Sequence, residues 1–168
     1  MATSLQFIKS ASASGGVSTL DISNCFSAQY DVYELLITKV DTASNFYPSF
    51  RLLKESDGSA DTTSNYDSAG LLFGLSGTSE IRYVNQTSMI NSFGLASTND
   101  ANNFGRLTIY QPFSGSSYTF LQGQAAHFYS ALEGGKTIGV HKVEQSNSGI
   151  QLMFSNMTLV QASIYGVE

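Results

Sequence analysis

The sequence predicts an all-β fold, an antiparallel β-sandwich of jelly-roll type, on three observations. Short segments alternate apolar and polar residues with period two. Glycine-, serine- and asparagine-rich turn signals separate them. No apolar pattern at i, i+3, i+4, i+7 persists for three helical turns. With 168 residues, 42% of them hydrophobic, the chain suits one domain, residues 1–168, burying about two-thirds of its unfolded surface.

Strand-like sequence begins with Leu5–Lys9 and Val17–Ile22, separated by Ser14-Gly15-Gly16. Asp31–Val40 carries apolar residues at both parities, Tyr33, Leu35 and Ile37 against Val32, Leu36 and Val40, and reads as a strand covered on both faces. Tyr47–Lys54, Ala69–Leu75, Glu80–Asn85 and Met89–Gly94 follow, with a turn at Ser56-Asp57-Gly58 and a polar stretch from Glu55 to Ser68. Then come Arg106–Gln111, Tyr118–Gln122 and Thr137–Glu144, divided by Ser114-Gly115-Ser116 and Glu133-Gly134-Gly135. After Asn147-Ser148-Gly149, the last two are Ile150–Phe154, with Ile150, Leu152 and Phe154 on one face, and Leu159–Tyr165, with Val160, Ala162 and Ile164 on one face. Pro48 and Pro112 fall at strand margins, where a missing N–H is tolerated. Ten to twelve short strands in one domain fit a sandwich.

Composition narrows the function. Charged residues are only 12% of the chain, about half the usual share, so the surface is neutral and polar, with little repulsion between copies. A net charge of −5 with eight scattered Lys and Arg argues against nucleic acid, whose phosphates require clustered cations. Residues Met1 to Ser10 lack the apolar stretch of a signal peptide, and no run has the length of a membrane span; synthesis and folding in a cytoplasm, with no membrane partner, is the expectation. The single Cys25 excludes an intrachain disulfide.

The chemical motifs fail one by one. Gly135-Lys136-Thr137 lacks the upstream glycine of a phosphate loop, position 130 being Ser, and is read as a hairpin turn. His127 and His141 are too few for a three-histidine metal site and sit in no catalytic motif. Gly74-Leu75-Ser76-Gly77 lacks the GxSxG spacing of a nucleophile elbow. Asp57-x-Ser59-x-Asp61 has the alternate oxygen spacing of a calcium loop, but position 68 is Ser where an acidic ligand is required, so the segment reads as an exposed loop. A glycan-cleaving enzyme would need two carboxylates about 5 to 10 Å apart in a groove, drawn from Asp57, Asp61 and Glu80. The expectation is therefore no catalytic residue, no metal and no cofactor. Twenty aromatic residues, nine Tyr and 11 Phe, fill the core and supply contact points; Tyr30, Tyr33, Tyr66, Tyr110 and Tyr118 are the interface candidates, since tyrosine joins an apolar body to a polar tip.

The order of these segments carries a resemblance. Phe7-Ile8-Lys9-Ser10-Ala11-Ser12-Ala13-Ser14 precedes Leu20-Asp21-Ile22, and Phe26-Ser27-Ala28-Gln29-Tyr30-Asp31-Val32-Tyr33-Glu34-Leu35 forms a turn-Tyr-strand entry. Phe50-Arg51-Leu52 leads through a polar loop to Ser64-Asn65-Tyr66, and the chain closes on Ala162-Ser163-Ile164-Tyr165-Gly166-Val167. In this arrangement the chain resembles small virion proteins of tailed bacteriophages, including those of marine bacteria and cyanobacteria; its Ser56–Thr62 loop is longer than theirs. The resemblance implies a β-sandwich on the virion exterior in multiple copies. The function expected is a non-enzymatic capsid decoration (cement) protein, a homo-oligomer and specifically a trimer, that binds the major capsid protein and reinforces shell contacts through multivalency. The alternative is a tail or head fibre domain that binds host-surface glycans, with Tyr66 and its acidic loop as the place to look.

Overall fold

The computed structural model describes residues 4–42, 48–75, 77–90, 103–128 and 132–168. Among these residues nine strands follow in chain order: β1 (Leu5–Ile22), β2 (Val32–Thr42), β3 (Ser49–Lys54), β4 (Tyr66–Gly74), β5 (Gly77–Gln86), β6 (Asn103–Tyr110), β7 (Thr119–Phe128), β8 (Leu132–His141) and β9 (Asn147–Val167). All pairings are antiparallel, in the order β1-β9-β2-β6-β7-β8-β4-β5, with β3 joined to β9. β9 is the axis of the fold. β1 runs along one of its edges, while β3 and β2 lie end to end on the other, β3 beside residues 147–153 and β2 beside residues 157–166.

The sheet closes over its own inner face as a jelly-roll-like sandwich. Phe50 and Leu52 of β3, Tyr33, Leu35 and Ile37 of β2, Leu107 and Ile109 of β6, Leu121 of β7 and Ile150, Leu152 and Ile164 of β9 form one buried cluster. Met89 ties the layers together: its backbone exchanges hydrogen bonds with Phe50, and its thioether lies where a Cβ on Gly139 of β8 would stand. Each buried side chain of this size stabilises the fold by about 1.5–3 kcal/mol relative to exposure.

Several expectations change in the structure. Leu5–Lys9 and Val17–Ile22 are one strand, because Gly15 and Gly16, at φ 82° and 84°, make a bulge rather than a turn. Opposite that bulge β9 has its own irregularity at Asn156, φ 51°, so Ile150–Phe154 and Leu159–Tyr165 are also one strand. The two departures interlock, since a Cβ on Gly16 would stand 2.7 Å from the Asn156 side-chain oxygen. Glu133-Gly134-Gly135 and the reading of Gly135-Lys136-Thr137 as a hairpin turn are corrected likewise: all these residues lie inside β8, and a Cβ on Gly134 would come 2.5 Å from the Ala125 carbonyl of β7. Asn147-Ser148-Gly149 opens β9. In β2 a register shift between Ile37 and Lys39 turns Val40 into the core with Tyr33, Leu35 and Ile37, leaving Val32 and Leu36 half-buried opposite. The turns at Ser56–Gly58 and Ser114–Ser116 form where expected. The segment Met89–Gly94 lies mostly outside the described residues; Met89 itself forms only an isolated bridge to Phe50.

Candidate functional site: the outer face of the sheet

Strict alternation leaves β6, β7 and β8 with one core face and one outward face. In β7, Leu121, Ala125 and His127 point inward, while Phe120, Gln122, Gln124 and Phe128 are exposed. The cross-strand registers arrange the outward residues of β2-β6-β7-β8-β4-β5 in rows. One row runs Glu34, Thr108, Gln122, Ile138, Ala69, Arg82 and the next Leu36, Arg106, Gln124, Lys136, Leu71, Glu80. Flanking them, Tyr110, Phe120 and Val140 form one margin, and Phe104, Ala126, Gly134 and Phe73 the other.

This face is unusually apolar for a solvated surface. Phe104, Phe120 and Phe128 are each more than half exposed, and Ile138 reaches 63%; Leu71, Phe73, Val84 and Leu132 add to them. Single exposed apolar residues need no explanation, but a contiguous cluster marks a contact surface. Between the side chains lie shallow depressions. One has Phe73, Phe104, Ala126 and Gly134 on its walls and floor, and another is lined by Ala69, Arg82, Gln122 and Ile138.

One charged group is fixed into this face. Arg106 donates to both Glu34 oxygens, at 2.7 and 2.9 Å, and the Thr108 hydroxyl donates to Oε1 at 2.9 Å. Glu34 is nearly fully covered while the Arg106 side chain is half exposed, and hydrogen bonding with the carboxylate raises the arginine pKa. Such a bidentate pair holds the guanidinium in one orientation and offers its outward surface to a partner.

A second polar cluster is internal. Asp61 accepts hydrogen bonds from the Thr63 amide (2.9 Å) and hydroxyl (2.5 Å), from His141 Nε2 (2.8 Å) and from Gln145 Nε2 (3.2 Å). Tyr66 stacks on the His141 ring at 4.5 Å, and its hydroxyl receives the Leu52 amide proton at 3.0 Å. Burial pushes the Asp61 pKa up, but the Thr63 and His141 hydrogen bonds outweigh it and hold the carboxyl below its ordinary value. Burial also lowers His141, against the opposing pull of Asp61. The ring is thus neutral at pH 7, donating through Nε2 while the buried Nδ1 has no partner among the described residues. His141 is fully buried, so the pair clasps the 55–65 loop to β8 from the inside.

The predicted interface tyrosines divide. Tyr33 and Tyr66 are corrected: both are core residues, Tyr33 with its hydroxyl bound to the Ser27 backbone and Tyr66 capping His141, so neither ring can meet a partner. Tyr30 is half-buried, its ring lying on Gly166 where a Cβ would come within 2.6 Å of it. Tyr110 lies in the outer face and Tyr118 is exposed just before β7. The carboxylates of the polar loop are not gathered: Asp57 pairs with Lys54 and is held down to about 2 by the Ser59 amide and hydroxyl and by Lys54, Asp61 is buried, and Asp67 binds Lys142. Glu80 stands apart on β5. Asp61 and Asp67 therefore correct the reading of this segment as a uniformly exposed loop. No group of three or more potential metal-binding side chains occurs among the described residues.

Sequence reasoning missed the Glu34–Arg106–Thr108 group and the Asp61–His141 pair. The first had a signal, an acid within the apolar run Val32–Ile37 and an Arg-x-Thr pair on one face of another strand. The second had none, because Asp61 and His141 are 80 positions apart.

No family model matches the chain, and no curated protein matches it. Among solved structures it is similar to a marine PL-14 alginate lyase from Aplysia kurodai, at 8% identity and a TM-score of 0.30 over 86% of this chain and 72% of that one. A Bacteroides ovatus mixed-linkage glucan GH16 protein in complex with a product has 9% identity and a TM-score of 0.26 over 86% and 73%. The laminarinase catalytic domain from Thermotoga petrophila has 8% identity and a TM-score of 0.26 over 88% and 68%. Likeness of this degree carries no argument about the chain's activity.

Proposed function

We propose that this chain is a non-enzymatic structural protein of a tailed-phage virion, a decoration protein that self-associates on the particle exterior and reinforces contacts between shell subunits. The observation that supports this best is the broad outer face, where exposed Phe104, Phe120, Phe128 and Ile138 surround fixed polar groups. Burying such a face against protein gains hydrophobic free energy. The Asp61–His141 pair is buried, with Tyr66 stacked on the imidazole, which supports a structural role for it. A second reading, a fibre domain that binds host glycans, is favoured by the same face, since polar side chains between exposed rings also suit sugar stacking and hydrogen bonding.

Co-sedimentation of the purified protein with empty phage heads and, separately, with host cells tests both. Saturable binding to heads together with raised thermal stability of those heads is expected. Binding to cells alone, inhibited by host polysaccharide, would replace the first reading with the second.

A further inference from the structure

We propose that the outer face is a two-fold interface with a second copy of this chain, packed sheet on sheet about an axis that crosses the strands between the Gln122 row and the Gln124 row. The inference rests on the self-association proposed above and assigns its surface and symmetry.

The size of the face is the first argument. Six strands at about 4.8 Å spacing and about eight residues at about 3.3 Å rise give about 760 Å² per copy, close to the roughly 800 Å² each partner contributes to a stable interface.

The pattern of the face is the second. A two-fold axis in that position places each row of one copy on the adjacent row of the other, strand on like strand. Arg82 then faces Glu80 of the second copy, and by symmetry Glu80 faces Arg82, making two ion pairs from one sequence feature; both side chains are exposed on β5. Gln122 faces Gln124 of the second copy, amide to amide.

Shape obeys the same operation. Leu71 falls on Ala69, whose small side chain lines one depression with Ile138, Gln122 and Arg82. Phe120, exposed on β7, falls on Ala126, which with Gly134 floors the depression between Phe104 and Phe73. Tyr110 meets Phe104 at the margin. At Leu71 on Ala69 and Phe120 on Ala126 protrusions meet depressions, and at Glu80 on Arg82 opposite charges meet, as isologous packing requires, while Lys136 falls on Ile138 of the second copy. Aligned sheet packing of this kind is ordinary for sandwiches, at about 10 Å separation. A two-fold contact takes the place of the trimer expected from the resemblance, because a three-fold ring needs two different complementary surfaces, whereas this face complements itself.

The test is sedimentation velocity on the full chain and three variants, with circular dichroism confirming each fold. The native protein should sediment at twice the 18.1 kDa chain mass. Arg82→Glu should weaken dimerisation at least 100-fold, since it sets Glu against Glu twice. The charge-swapped double variant Glu80→Arg/Arg82→Glu should return to within tenfold of the native affinity, because the axis pairs these two positions with each other. Phe120→Asp, a change at an exposed position, should also give monomers and serves where Arg82→Glu does not fold. A dimer that the double variant fails to restore overturns the placement of the axis. An oligomer indifferent to both Arg82→Glu and Phe120→Asp, a trimer included, overturns the face while leaving self-association intact. A native chain that stays monomeric at millimolar concentration overturns both.

Discussion

Replacing Asp61 by Ala removes the acceptor of four hydrogen bonds, those from the Thr63 amide and hydroxyl, His141 and Gln145. Thr63 is exposed, so water can take over there. His141 cannot be rescued so, because its ring is fully buried and Nδ1 already lacks a partner among the described residues; the substitution takes the acceptor from Nε2 as well. With Asp61 gone, what remains is a neutral imidazole whose buried donor has no acceptor, a loss of about 1–3 kcal/mol. For a chain of this size each kcal/mol shifts Tm by about 2–4 °C, so Asp61→Ala should melt about 2–12 °C below the native protein. Removing both polar partners should cost far less. His141→Phe keeps a ring to stack on Tyr66, now 4.5 Å from the imidazole, so the double variant Asp61→Ala/His141→Phe should recover at least half of the loss. Urea unfolding followed by circular dichroism gives the four free energies of the cycle. A loss below about 1 kcal/mol for Asp61→Ala, or a double variant as unstable as the sum of the singles, would show that the pair does not hold the loop in the way described.

The same pair makes stability fall in acid. Both folded-state pKa values lie below their unfolded ones, so the unfolded chain binds more protons and each contribution, complete at neutral pH, is lost as pH falls, His141 from its ordinary 6.5 downward and Asp61 from 3.8 downward; the urea midpoint should drop between pH 7 and pH 5, and a flat profile in Asp61→Ala/His141→Phe would assign the drop to this pair. Cys25 is buried, donates to the Ile22 carbonyl and has its thiol pushed up to about 12 by burial; at pH 8 Ellman's reagent should label it only after denaturant is added, and rapid labelling of the native protein would contradict its placement. Gly166→Ala should destabilise by about 1–3 kcal/mol through collision with the Tyr30 ring, and Tyr30→Ala in the same chain should make that change nearly silent; equal cost in both backgrounds would refute the contact.

Much of the fold is legible in the sequence because it depends on short-range pattern. Ile150, Leu152 and Phe154 alternate, and they are buried together. The errors come where a glycine or asparagine has two uses. Gly15-Gly16 and Gly134-Gly135 read as turns, yet the first makes a bulge matched to Asn156 and the second permits close approach of β7 and β8; local sequence cannot distinguish these uses, because the partner strand lies far away in the chain. Segments far apart in the chain also meet: Tyr30 covers Gly166, and Tyr165 meets Phe7 edge to face at 5.7 Å, so both the Tyr30 turn and the start of β1 pack on the closing segment. The candidate site was less legible. Tyrosine chemistry pointed to Tyr33 and Tyr66, which the core absorbs, while the outer face is built largely from Phe104, Phe120 and Ile138, whose exposure follows from strand parity and neighbours rather than residue type.

We propose an exterior virion protein whose broad sheet face is covered by protein. A cryo-electron microscopy reconstruction of the intact particle tests it most directly. The prediction is repeated density for this nine-strand sandwich on the outside of the head, with Phe120 and Ile138 under a neighbouring chain; particles with no copy of the chain, or copies whose sheet face stands open to solvent, would contradict it.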